Sequence, residues 1–188
     1  MTTTSMSIAD AQHNMRFSYL SGAPGIFASS LAWLAAGIVA LQLTSGQAVI
    51  ALYVGGMLIH PAAVLLAKML GRPGAHTKGN PLGGMALEGT AWMILCLPLT
   101  YAVSKYQIAW FFPAMLLVIG GRYLTFATMF GMRIYWAMGI ALVAAAYLLV
   151  VMKASPAAGA FAGSLVEMVF AAIIFISAKR AVTPALTG

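Results

Sequence analysis

Six apolar runs, each long enough for the ~20 residues a helix needs to cross a bilayer's hydrocarbon, alternate with short polar stretches along the chain. They cover 23–43, 48–70, 82–103, 107–130, 132–151 and 160–178. "TSGQ" at 44–47 and "SKYQ" at 104–107 leave room only for tight turns, so consecutive spans are expected to be antiparallel neighbours. The pattern predicts an all-α, polytopic membrane bundle of six transmembrane helices. The fourth span is interrupted by Gly120, Gly121 and Arg122. A break there would leave "RYLTFATMFG" as a separate short helix without changing the even number of crossings.

Ahead of the first span, Ser7 and Asp10 form a capping-box-like S-x-x-D that starts a short helix running to about Leu20. Polar Asp10, His13, Asn14 and Arg16 alternate there with Ile8, Met15, Phe17 and Leu20. Residues 1–22 are therefore expected to form an N-terminal amphipathic helix, lying in the interface or packed under the bundle. Residues 23–178 make one six-span membrane domain, and 179–188 a tail. "GRPGAHTKGNP" at 71–81 carries Pro73, Gly74, Gly79 and Pro81, which cannot continue a helix. Asn80 before Pro81 is expected to cap the third span, the amide oxygen accepting an orphan N–H and the proline suiting the first turn. Pro61, Pro98 and Pro113 fall inside spans two, three and four, and each would free a carbonyl one turn earlier.

Composition agrees with this class: of 188 residues, 62% are hydrophobic and 7% charged, with a mean hydropathy of +0.95. The N-terminal segment lacks a basic region leading straight into an apolar run, so the first span is expected to be an uncleaved anchor. The net charge of +7 comes from scattered single Lys and Arg residues rather than a basic patch, which argues against a nucleic-acid partner. It fits orientation instead. With the N-terminus in the cytoplasm, that side holds Arg16, Lys68, Arg72, Lys78, Arg122, Arg133, Lys179 and Arg180, against Lys105 and Lys153 opposite. The positive-inside rule then gives N-in and C-in ends, in a multi-pass cell membrane protein. Cys96 is the only cysteine and lies in an apolar run, so neither a disulfide nor a thiolate metal cluster is expected.

Candidate chemistry rests on ionisable groups inside the spans, which by default face a bundle interior or an aqueous cavity. Glu88 lies in the third span, His60 near the middle of the second, Glu167 near the middle of the sixth and Arg122 in the fourth. Their depths suggest two layers, His60 with Glu167 and Glu88 with Arg122. Together these would form a ladder of protonatable groups able to bind a proton or a small solute. For each residue a structural role stands beside the functional one. Glu167 can be interhelical glue, Arg122 can snorkel, His60 can satisfy the helix kinked by Pro61, and Glu88 can belong to a static ion pair. Glu167 shares its face with Ala160, Gly163, Ser164 and Ala171, near Gly159-x-x-x-Gly163, so that face is expected to be buried.

"GGMALE" at 83–88 and "AGSLVE" at 162–167 both place Gly four residues before Glu. A three-plus-three inverted repeat of the kind found in transporters would account for this, and so would coincidence. No hydrolase or protease motif is present, and a metal site would need His60 and both glutamates to converge from three spans. His76, Thr77, Lys78 and Asn80 in the inner loop can contact a headgroup or simply be solvated. The expected function is a small transporter or channel-like protein moving a small solute or ion, with no enzymatic step and no cofactor. The alternative is a non-catalytic scaffold or regulatory subunit. A lipid bilayer is the expected surrounding and a homodimer an expected assembly. The short N-terminal helix, six compact spans and Asn80-Pro81-Leu82-Gly83 resemble a group of small uncharacterised bacterial membrane proteins classed as a domain of unknown function. That resemblance implies a bacterial cytoplasmic membrane and assigns no residue roles.

Overall fold

The computed structural model describes residues 6–182; positions 1–5 of the expected N-terminal segment and 183–188 of the expected tail lie outside the described residues. The described chain is all helical: α1 (Ile8–Tyr19), α2 (Ala23–Gln42), α3 (Ser45–Met69), α4 (Gly83–Tyr106), α5 (Phe111–Phe130), α6 (Ile134–Val151) and α7 (Pro156–Val182). Short 3-10 turns at Leu20–Gly22 and Ile108–Trp110 precede α2 and α5. Six helical stretches, of which the first joins α1 to α2, are long and apolar enough to cross a membrane. The expected bundle of six spans with a short N-terminal helix is thus the architecture found.

Local chemistry moves several helix ends away from the edges of the apolar runs. α3 starts at Ser45 rather than 48 because Thr44 and Gln47 form a reciprocal capping box. α7 starts at Pro156 rather than 160, with the Ser155 hydroxyl accepting from the Ala158 amide at 3.3 Å. α4 runs on through Tyr106, so the turn expected across 104–107 is shifted to the extended residue Gln107 and the 3-10 turn after it. α5 is continuous across Gly120, Gly121 and Arg122. Pro113 sits in the first turn of α5, where a missing N–H breaks no bond, so it is not the internal break expected from the sequence. Pro61 and Pro98 do lie inside helices.

Packing departs from chain order: the first span lies against the last, and the consecutive helices α3 and α4 are not closely packed. α2 lies between α3 and α7, α5 lies between α4 and α6, and α7 also touches α5 and α6. Close approach uses missing side chains. A Cβ on Gly139 would stand 2.9 Å from the Gly120 carbonyl, and one on Gly120 3.1 Å from the Gly139 carbonyl, which sets the α5–α6 crossing. On α7, Gly159 receives Phe112 and Gly163 receives the Trp33 indole. Trp33, Phe111, Phe112, Leu116, Met138 and Leu142 fill the interior between them. Large apolar side chains such as Met57, Leu58, Leu87, Leu95 and Ile140 face outward, as contact with a lipid bilayer requires.

α1 closes one end of the bundle. Its cap is the expected one, Ser7 accepting from the Asp10 amide at 3.2 Å. Ala11, Met15 and Ser18 are buried under the other helices. Gln12 Nε2 donates to the Thr128 carbonyl at 2.8 Å and Arg16 to the Phe130 carbonyl at 2.5 Å, so α1 caps carbonyls in the last turn of α5. The Arg16 cation also complements the negative end of the α5 dipole. Leu20, Ser21 and Gly22 all take positive φ, at 48°, 54° and 85°, and turn the chain sharply into α2. Such a run of left-handed residues is unfavourable for side chains bearing a Cβ. The Tyr135 hydroxyl holds it by donating to the Ser21 carbonyl at 2.6 Å.

Candidate functional site

Glu167 is fully buried at the middle of α7, and Tyr123 of α5 donates its hydroxyl to Oε1 at 2.9 Å. Ser29 and Trp33, one turn apart on the same face of α2, also approach the carboxyl group. Neither closes the second oxygen: Glu167 Oε2 and the Trp33 indole Nε1 are both buried without a hydrogen-bond partner. The centre therefore has one satisfied and one open oxygen, surrounded by side chains from three helices. Tyr123 is fixed by stacking on Tyr135 at 6.1 Å and by the edge of Phe126 at 5.5 Å. Tyr123, Ser29 and Trp33 are absent from the set singled out in the sequence. The four-residue spacing of Ser29 and Trp33 is the one local signal that could have pointed to them.

Arg122 lies close enough to this centre for its charge to act on Glu167, but its hydrogen bonds run to α4. One terminal nitrogen meets Thr90 Oγ1 at 3.2 Å, the other the Met93 sulfur at 3.3 Å, and the guanidinium carbon stands 5.4 Å from the Phe126 ring centroid. Its Nε is buried and unpartnered. Arg122 and Glu88 line the same groove between α4 and α5, yet the expected ion pair between them is not formed. The reason is geometric. Glu88 is exposed and its Oε1 turns toward Gly84, while the guanidinium is bonded farther along α4, at Thr90 and Met93.

The midplane pair is not formed either. His60 is exposed on the outer surface of α3, whereas Glu167 is enclosed by α2, α5 and α7. Among the described residues no three His, Cys, Asp or Glu side chains converge as metal ligands. Glu88 and Glu167, aligned in the apparent repeat, occupy opposite environments, one exposed and one at 0% exposure.

The inner loop is engaged with α1. Asn80 Oδ1 accepts from the Leu82 amide at 2.9 Å, which is the helix-start role expected of it. Pro81 lies in the turn that leads into α4. Asn80 Nδ2 donates to the Ala11 carbonyl at 3.1 Å and to Asn14 Oδ1 at 3.0 Å. Asn14 bonds Thr77 through both backbone and side chain, and the Tyr19 hydroxyl meets His76 Nδ1 at 2.9 Å. The polar groups of this loop thus fasten it to the N-terminal helix.

The model of the Family of unknown function (DUF7010) matches residues 8–177, and the chain belongs to that family. No curated protein and no solved structure matches it.

Proposed function

We propose that this multi-pass membrane protein is a small transporter or channel-like protein in which Glu167 takes up and releases a proton as a small solute or ion moves. The observation that carries the reading is a carboxyl group held in the interior by Tyr123 at one oxygen and left open at the other. Ionisable groups so deep in a membrane protein commonly mark ion or proton pathways. Arg122 supplies a positive field beside that centre, and Pro61 and Pro98 give α3 and α4 points at which to bend. Glu88 takes part at the mouth of the groove it shares with Arg122, and His60 has no assigned part. The reading involves no chemical transformation of the solute.

The end of the bundle bearing α1 faces the cytoplasm in this proposal, because it carries most of the Lys and Arg residues. The corresponding location is a bacterial cytoplasmic membrane. A homodimer would cover part of α3, where Gly46 and Gly56 face open space.

The test is proton flux in liposomes containing the purified protein and an internal pH dye, under an imposed pH gradient. Wild-type flux that disappears in a folded Glu167→Gln variant is the expected result. One observation favours a second reading, a scaffold or regulatory subunit in which Glu167 is interhelical glue: neither of the two cavities described, in the α4–α5 groove and at the opposite end of the bundle, is lined by it. Absence of flux in folded wild type, with and without candidate solutes, selects that reading.

A further inference from the structure

The α4–α5 groove encloses about 220 Å³, many times what one water needs, and is lined by Met85, Glu88, Gly89, Trp92, Arg122 and Thr125. It brings a cation and an anion to one space without joining them. Arg122 has only neutral partners, a hydroxyl, a thioether and an aromatic face, and its buried Nε has none. A guanidinium is well suited to a carboxylate or phosphate, and among the described residues no anionic side chain bonds to this one. Glu88 turns toward Gly84 while Arg122 bonds Thr90 and Met93, so the two charges are offset along α4 by about one to two helical turns, roughly 5–10 Å at the α-helical rise. Trp92 and Met85 line the groove with them, and the ring face of Trp92 suits an ammonium group as well as a methylene chain. Gly89 lets α4 and α5 approach closely at the floor of the groove, since a Cβ there would stand 3.2 Å from Thr125 Oγ1.

We infer that this groove binds a small zwitterion whose anionic group meets Arg122 and whose ammonium group, several bonds away, meets Glu88. An ω-amino carboxylate has this chemistry, with a short apolar linker to lie against Trp92 and Met85. The same pair of charges occurs in a phosphoethanolamine headgroup, although its two charges are closer together. As a substrate class the inference rests on the transport reading. As a binding site it does not, and it is tested at equilibrium without a gradient.

The experiment is titration calorimetry on the purified protein in lipid nanodiscs. The probes are 4-aminobutyrate and 6-aminohexanoate, with butyrate, hexanoate, butylamine and hexylamine as single-charge controls. At least one ω-amino acid should bind about tenfold or more tightly than both controls of its length, a difference of ~1.4 kcal/mol. Glu88→Gln, at an exposed position, should erase the preference for the amino acid over the carboxylate while the protein stays folded. Arg122→Gln should lose both ligands. Nanodiscs with phosphatidylethanolamine separate the sources: a headgroup occupant competes the ω-amino acid away, and a free solute binds as well with that lipid as without it. Equal affinity for zwitterion and carboxylate, no binding at all, or a preference untouched by Glu88→Gln overturns the inference. Binding without flux would leave the site standing and remove the transport reading. Flux with no zwitterion binding would do the reverse.

Discussion

Removing the Tyr123 hydroxyl tests whether the buried centre is a coupled unit. Tyr123→Phe deletes the 2.9 Å donor to Glu167 and leaves a carboxyl at 0% exposure with Ser29 and Trp33 as the remaining polar neighbours. Stranding a buried polar group costs about 1–3 kcal/mol in water-soluble proteins. Within membranes, measured hydrogen-bond couplings average ~0.6 and reach ~1.7 kcal/mol, because the unfolded reference also finds partners. This bond belongs toward the upper end. Both groups are buried, and the stack on Tyr135 with the edge contact to Phe126 keeps the phenol from turning to another acceptor. Tyr123→Phe and Glu167→Leu should each destabilise by about 1–1.5 kcal/mol, and the double variant should lose little more than the worse single one. That gives a coupling near 1 kcal/mol, read from denaturant unfolding in mixed micelles as a change in midpoint at constant slope. Additivity within ~0.3–0.5 kcal/mol would refute the claim that the two residues act together.

Three further outcomes follow from other parts of the bundle. Arg16→Ala should lower stability by about 1–2 kcal/mol, because the Phe130 carbonyl loses its donor and the α5 terminus its cation; an unchanged thermal midpoint would count against the α1 cap. Gly22→Ala places a Cβ at φ +85° against Tyr135 and Phe130 and should destabilise by about 2–4 kcal/mol. Gly71→Ala, at φ +73° in open space, should lose only about 1–2 kcal/mol, and equal losses in the same melt would show that the packing argument fails. His60→Leu, on the exposed surface of α3, should stay within ~0.5 kcal/mol of wild type and leave proton flux unchanged, whereas lost flux would return His60 to the pathway.

The helices were legible because bilayer thickness dictates the length of an apolar run, and among the shifted ends the starts of α3 and α7 moved where Thr44 with Gln47, and Ser155 with Pro156, outweighed hydropathy. Burial of Glu167 was readable too, from the small residues sharing its face. Partnership was not. Counting residues gives depth along a helix, whereas a contact also needs the rotation of each helix about its axis. In a soluble bundle, amphipathicity reports that rotation. Here the core-facing and lipid-facing residues are equally apolar, so nothing in α3 or α4 marked His60 and Glu88 as outward. Tyr123 carries no mark in the sequence for the same reason: its phenol becomes a donor to Glu167 only once α5 and α7 are docked. The link from α1 to the end of α5 joins positions more than a hundred residues apart, and no local pattern encodes it.

That link also imposes an order on biogenesis. α1 leaves the ribosome ahead of the rest of the bundle, but Thr128 and Phe130 are made more than a hundred residues later, on the order of ten seconds at usual translation rates. Its loop partners at Thr77 and Asn80 come earlier, so docking proceeds in two stages as the chain lengthens. Asp10, His13 and Arg16 disfavour its insertion into lipid during that wait. α1 can therefore be fully seated only after α5, the fourth of the six spans, has been made, and its docking marks a nascent chain that has passed that point.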